Sequence, residues 1–400
     1  MADSEAENPS RQTSRNAPSL ASLSLTGFRN YTSQKLTLTS EPVVLFGDNG
    51  AGKTNLLEAI SFLSPGRGLR RATLDAVART GGDGTWAISA KILSDGDEVS
   101  VGTGWQSPAG SAEMRRVTRI NGETANSVEE LTDFLRVLWL TPAMDGLFTG
   151  SASDRRRYLD RLVLAVDPSH GRRVNAFEKA MRGRNRLLES DRPDPAWLSA
   201  QEAQMAELGT AIAAVRVDLV ARFAHYMIEI GEAGVFPSAL LALEGSLEAA
   251  LATGPAIDAE DAYRLRLADY RPRDRAAGRT LEGPHRSDLL VTHAGKHMPA
   301  ALCSTGEQKA LLLGLTLAHA RLVSDYVDKV PVLLLDEVAA HLDSSRRAAL
   351  VEELERLGGQ SWLTGTDWAL FTALDGRAQF FEVSDAEARL VPRLAARPAD

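Results

Sequence analysis

VVLFGDNGAGKTNLLEA, Val43–Ala59, decides the fold of this chain. Val43–Phe46 is a short apolar run, consistent with a buried strand. Gly47–Thr54 follows as GDNGAGKT, a complete G-x-x-x-x-G-K-[ST] loop, and Asn55–Leu63 then carries Leu56, Leu57, Ile60 and Leu63 at helical spacing. Strand, glycine loop and helix in that order are the context a phosphate-binding loop requires. Glycines let backbone N–H groups curl around phosphate oxygens where a Cβ would obstruct them. The helix N-terminus adds its positive dipole end. Gly47, Asp48, Asn49, Gly50, Ala51, Gly52, Lys53, Thr54 and Asn55 are therefore the expected contacts of a nucleoside triphosphate. Lys53 is expected at the β- and γ-phosphates and the Thr54 hydroxyl on Mg²⁺.

The chain has 400 residues, enough for two or three domains, and its 44% hydrophobic content supports a sizeable core. Cys303 is the only cysteine, so no intrachain disulfide forms and a reducing, cytoplasmic setting is expected. No apolar run has the length of a membrane span, and no signal peptide is expected. The net charge of −8 argues against a globally basic coat, although local charge matters more than the sum. Only 7 of the 45 basic residues are lysine, so positive charge resides almost wholly on arginine.

Residues 1–18 are polar and aperiodic and are expected to be a disordered tail, with a second tail at 393–400. Leu20–Phe28 reads as an edge strand, closed by Phe28-Arg29-Asn30-Tyr31, and Leu36–Leu38 as a short strand. Arg67, Arg70 and Arg71 charge the loop PGRGLRRA. They are candidates for phosphate contact, against the plainer reading of a solvated basic loop. Trp86–Ile92, Val99–Gly102 and Arg116–Ile120 alternate like antiparallel strands, and Asn121-Gly122 signals a hairpin turn. Val137–Leu140 is a further strand. Ser153–Val166, Arg172–Leu188, Trp197–Ile230, Leu240–Leu251 and Ala259–Tyr270 read as helices. They predict a compact, all-helical insertion without a sustained heptad repeat.

Pro331–Glu337 is PVLLLDE, a buried strand delivering two carboxylates at its C-terminal end. Asp336 is expected to serve Mg²⁺ and Glu337 to polarise the attacking water. Ser304–Lys309, STGEQK, begins a helical run about 30 residues earlier, where ABC-type ATPases carry their signature motif. On that reading Ser304, Thr305, Gly306, Glu307 and Gln308 meet the γ-phosphate of ATP held by a second subunit, which predicts a homodimer. A plain capped helix is the alternative. Ala339–Asp343, with His341 and Asp343, is similar to the D-loop that crosses such an interface. Ser361–Thr366 reads as the last strand. Thr366 and Asp367 stand where transporter ATPases carry a switch histidine. Thr141–Asp145 stands at the Q-loop and lacks a glutamine. Both departures predict slow hydrolysis.

The chain resembles the RecF family, on Phe28-Arg29-Asn30-Tyr31, GDNGAGKTNLLEAI, GRGLRR, SASDRRRYLD (Ser151–Asp160), GPHRSD (Gly283–Asp288), STGEQK and LLLDE. The resemblance implies an α/β, ABC-type P-loop ATPase head of the SMC-like branch, a mixed sheet with an antiparallel subdomain. The expected division is a head at 19–141 and 281–392, interrupted by the helical lobe at 142–280. It further implies ATP and Mg²⁺ as cofactors, ATP-driven dimerisation and a weak, DNA-stimulated ATPase. Expected partners are single- and double-stranded DNA at gaps or junctions, and RecO and RecR in loading RecA; no membrane partner is expected. Arg155, Arg156 and Arg157 join Arg67, Arg70 and Arg71 as candidate DNA contacts, with intradomain salt bridges as the alternative. A transporter ATPase subunit would call for the switch histidine, and an SMC-like tether for long heptad arms.

Overall fold

A computed structural model describes residues 17–94, 96–107 and 113–392. Apart from Ala17 and Pro18, the expected tails at 1–18 and 393–400 lie outside the described residues. The chain opens with β1 (Ser19–Phe28), β2 (Tyr31–Thr37), β3 (Val43–Phe46) and α1 (Lys53–Ser61). Next come β4 (Trp86–Ser94), β5 (Asp97–Gln106), β6 (Arg115–Ile120), β7 (Glu123–Thr124) and β8 (Val137–Leu140). A mainly helical stretch holds α2 (Ala152–Val166), α3 (His170–Glu189), α4 (Pro195–Glu232), β9 (Ala239–Glu244), α5 (Ser246–Leu251), α6 (Ala256–Asp269) and α7 (Arg271–Ala277). The return comprises β10 (Asp288–His293), β11 (Met298–Pro299), α8 (Thr305–Val327), β12 (Val332–Leu335), α9 (Ser344–Leu357), β13 (Ser361–Gly365), β14 (Gln379–Ser384) and β15 (Glu387–Val391).

Two six-stranded sheets form the head. One is antiparallel, in the order β2-β1-β4-β5-β6-β7. On β4, Trp86, Ile88, Ala90 and Ile92 point inward and the residues between them outward, the alternation a one-sided sheet requires. Asn121 (φ 51°) and Gly122 (φ 88°) make the two-residue turn between β6 and β7. The second sheet runs β15-β14-β3-β13-β12-β8, parallel from β14 to β8.

The pleat of this second sheet divides the core. Val43, Leu45, Leu334 and Trp362 face α1 and the antiparallel sheet. Val44, Phe46, Leu333 and Leu363 face the layer containing α2, α4, α8 and α9. The lobe has its own cluster around Phe177, Met205 and Tyr263. At its centre the fully buried Arg184 guanidinium donates to Glu202, Asp274, Thr280 and the Leu267 carbonyl.

Three expectations need correction. Leu20–Phe28 is not an edge strand: β1 lies between β2 and β4. Leu240–Leu251 is not one helix, so the lobe is not helical throughout. Ala239–Glu244 alternates buried and exposed residues and pairs antiparallel with β10, leaving only α5 helical. A short leucine-rich run is ambiguous by periodicity, and the free partner strand settles it. Ser361–Thr366 does not end the sheet either, since β14 adds beside β3 and β15 beside β14.

Candidate functional site

The parallel order β14-β3-β13-β12 sends four strand C-termini to one edge, where open α/β sheets bind ligands. β3 delivers Gly47–Thr54 there and β12 delivers Asp336 and Glu337. The loop's glycines are required by what surrounds them. A Cβ on Gly47 would lie 2.2 Å from the Val383 carbonyl oxygen, and one on Gly52 (φ 124°) would lie 2.6 Å from Tyr31 Oη. Lys53 Nζ donates to the carbonyls of Gly47 (2.7 Å) and Asp48 (2.9 Å). Burial holds its ammonium below the ordinary lysine value, against the pull of Glu337, Asp336 and Asp48.

Thr54 Oγ1 donates to both oxygens of Asp336, at 2.9 and 3.1 Å. Asp336 is 5% exposed, and burial raises its carboxyl while hydroxyl donors from Thr364 and Thr54 pull it down. A hydroxyl and a carboxylate in contact form an all-oxygen donor set suited to Mg²⁺. The sequence reading missed Thr364. Its hydroxyl donates to Asp336 Oδ1 at 2.8 Å and accepts the Glu337 N–H at 2.8 Å. Glu337 sits at φ 55°, a left-handed conformation that needs such a clamp. The only local signal for Thr364 was a polar residue inside a buried strand.

Phe28-Arg29-Asn30-Tyr31 supports the loop from behind. Tyr31 Oη donates to the Gly52 carbonyl, Asn30 Nδ2 to that of Ala51, and Asn55 Nδ2 to Asn30 Oδ1. Arg29 reaches the fully buried Glu58 of α1 with two donors, at 2.8 and 2.6 Å. Arg70 adds a third at 2.9 Å, so the basic loop is tied to the helix that carries Lys53 and Thr54.

Ser304 N-caps α8 in a capping box with Glu307: Ser304 Oγ accepts from the Glu307 N–H, and the Glu307 carboxylate accepts from Ser304 N and Oγ. Lys296 donates to the same carboxylate, and these donors hold Glu307 down at about 2. Ser304, Thr305 and Gly306 are exposed, and Gln308 Nε2 donates to the Cys303 carbonyl. Thr141–Asp145 is joined to α8 by the Asp145–Lys309 ion pair (2.9 Å), and both charged residues line a cleft with Asp336, Glu337 and His341. Asp343 N-caps α9 through the Arg346 N–H. Asp367 caps the turn after β13 by accepting the Ala369 N–H, and Thr366 is exposed. Asp336 is therefore met from this strand by Thr364, not by Thr366 or Asp367.

The arginine candidates separate. Arg155 makes a two-pronged bond to Asp288 (2.8 and 2.6 Å), and Arg156 donates to the Ser287 carbonyl. Arg216 of α4 closes the same joint through Asp160, the Pro284 carbonyl and Ser287 Oγ. SDRRRYLD and GPHRSD thus meet each other. Arg157 pairs with Asp154 one turn away and remains half-exposed. Arg67 and Arg71 are exposed, and burial together with the fields of Arg157 and Arg67 lowers the Arg71 guanidinium.

Comparison with known proteins places this geometry. The family model described as RecF/RecN/SMC N terminal domain matches residues 19–364. A protein of Agrobacterium fabrum named DNA replication and repair protein RecF is 59% identical over 92% of this chain and 98% of its own length. Its namesake in Mesorhizobium japonicum is 57% identical over 91% and 96%. The structure described as the recombination mediator protein RecF-ATPrS in the RecFOR pathway superposes with a TM-score of 0.84 at 22% identity, covering 94% of this chain and 99% of that one. An Smc head domain of Pyrococcus furiosus superposes with a TM-score of 0.51 at 16% identity, over 94% and 96%. At those identities the structural matches speak for the fold alone.

Proposed function

The chain belongs to the RecF family of DNA replication and repair proteins, and from that premise we propose that it is an ATP-driven switch that holds DNA as a homodimer. The observation that carries the reading is the Thr54–Asp336–Thr364–Glu337 cluster, which joins the phosphate loop to a carboxylate pair. The backbone of 47–55 and Lys53 bind the phosphates. Thr54 and Asp336 would hold Mg²⁺, which would neutralise charge on the phosphates. Glu337 orients the attacking water and accepts its proton.

The exposed N-terminus of α8 is the surface offered to a second subunit's γ-phosphate, with His341 and Asp343 beside the interface. Glu307 is the competitor there: an ionised carboxylate holds the helix's anion-binding position, and a phosphate must displace it from Ser304. Hydrolysis is slow, because neither Thr366 nor Asp367 replaces a switch histidine at the carboxylates. Of the six arginine candidates, Arg67, Arg71 and Arg157 are the ones offered to a DNA backbone, at gaps or junctions. We extend the reading to cooperation with RecO and RecR in loading RecA, in the cytoplasm at the nucleoid; what supports it is the relatives' name as DNA replication and repair proteins and the RecFOR pathway named for the solved RecF structure.

Sedimentation of the intact chain and of Lys53→Met, with and without ATP–Mg²⁺ and a labelled gapped duplex, tests this. A nucleotide-dependent dimer that retains DNA, lost in Lys53→Met, is the expected result. A chain that binds ATP yet stays monomeric and ignores DNA overturns the clamp.

A further inference from the structure

A second cleft lies at the far edge of the parallel sheet. β8 is the terminal strand there, and α2 and α8 form the other walls. Its space reaches about 530 Å³ only when the open mouth is counted; the enclosed part is about 30 Å³, room for a water or one small polar group rather than a drug-sized ligand. Arg136 and Arg161 line it, and none of its lining residues is acidic. The Arg161 guanidinium lies 5.0 Å from the centre of the Trp139 ring and 5.2 Å from that of Tyr158. Its one hydrogen-bond acceptor among the described residues is the Met144 sulfur, at 3.3 Å.

The cleft also collects orphaned donors. Arg136 Nε and Nη1 are buried without a partner, and so is the hydroxyl of Tyr158, a residue only 5% exposed. Buried donors are paired in nearly all folded proteins, so three around one space point to a missing acceptor. Burial pushes Arg161 down to about 10 with no carboxylate opposing it, and lowers Arg136 against the pull of Asp133 and Asp167. Arg71 adds repulsion at Arg161. His319 contributes no charge: its ring nitrogen bonds the Leu162 carbonyl and burial pushes it down to about 3.

We propose that this cleft is an oxyanion site, in which Arg136, Arg161 and the Tyr158 hydroxyl donate to a phosphate or carboxylate group beside the Trp139 ring. A guanidinium lying over two aromatic rings is pre-oriented, so its planar fork loses little freedom on binding such a group. The site is separate from the phosphate loop, which lies three strands away across β13 and β12. It does not depend on the clamp reading, because its residues take no part in the nucleotide cluster.

The test keeps the phosphate loop filled with ADP–Mg²⁺ and titrates the full chain with inorganic phosphate, or with acetate, at constant ionic strength, following thermal stability. Saturable stabilisation by either anion is expected, phosphate assigning the phosphoryl class and acetate the carboxylate class. Tyr158→Phe, which preserves the ring, should raise the half-saturating concentration at least severalfold, and Arg161→Gln should abolish saturation. A crystal soaked in selenate should show an anomalous peak between Arg136 and Arg161. Identical responses in the intact chain and Tyr158→Phe overturn the proposal and leave a water-filled cleft. A peak without saturation in solution, binding at crystal concentration only, overturns it too.

Discussion

Thr364 bridges two roles with one hydroxyl. It donates to Asp336, the carboxylate proposed to serve Mg²⁺, and accepts the N–H of Glu337, the residue proposed to orient water. Thr364→Val keeps the shape and removes both bonds. With a net value of about 1.4 kcal/mol at stake, kcat should fall about tenfold while ATP affinity changes little. Thr364→Ser should restore the rate; failure of serine to rescue would assign the loss to packing. Glu337→Gln removes the proposed proton acceptor itself. Hydrolysis should fall about 100-fold or more, ATP should still bind, and the dimer should accumulate. A Glu337→Gln chain that stays monomeric at saturating ATP would count against the switch.

At the scale of elements, the joint between α2 and β10 is the informative contact. Arg155 and Asp288 are about one-sixth exposed, so their two-pronged pair is only partly screened by solvent. A double-mutant cycle with Arg155→Ala and Asp288→Ala should show a coupling of about 1–2 kcal/mol in urea unfolding. DNA retention by folded Arg155→Ala should match that of the intact chain; a large loss would return Arg155 to the DNA surface.

The helix α8 carries a pH signature. His319 is neutral when folded, pushed down to about 3, whereas in the unfolded chain it takes up a proton near pH 6.5. Acidification therefore favours the unfolded state from about pH 6.5 down to the folded value, costing about 2 kcal/mol at pH 5. His319→Gln should reduce the fall of the urea midpoint between pH 7 and pH 5, leaving the share contributed by His285, which burial pushes down to about 4. An unchanged slope would show that His319 is protonated in place.

For the whole molecule, a net charge of −8 means that DNA must be met by a local field rather than the average surface. Arg67, Arg71 and Arg157 share one neighbourhood, as their mutual repulsion at Arg71 indicates. Replacing all three with alanine should weaken DNA retention and lower the salt slope by about 2–3, near one per lost phosphate contact. Nucleotide binding should be unaffected. An unchanged slope would move the DNA path elsewhere.

The phosphate loop, the acidic strand, the hairpin turn at Asn121-Gly122 and the long helices were legible from residue order, because each is specified by neighbours within a few positions. Glycines demand their own backbone angles, and apolar spacing selects helix or strand. Three other features were decided only when distant segments met. β13 enters between β3 and β12, and that insertion alone brings Thr364 onto Asp336, 282 residues beyond the Thr54 it shares that carboxylate with. Ala239–Glu244 is extended because β10 offers it a ladder, and local periodicity could not choose. The arginines at 155–157 looked alike in sequence, and packing divided them between an internal joint and an exposed face. A charge run records what a side chain is able to bind; the fold determines whether an acid or carbonyl from another part of the chain reaches it first.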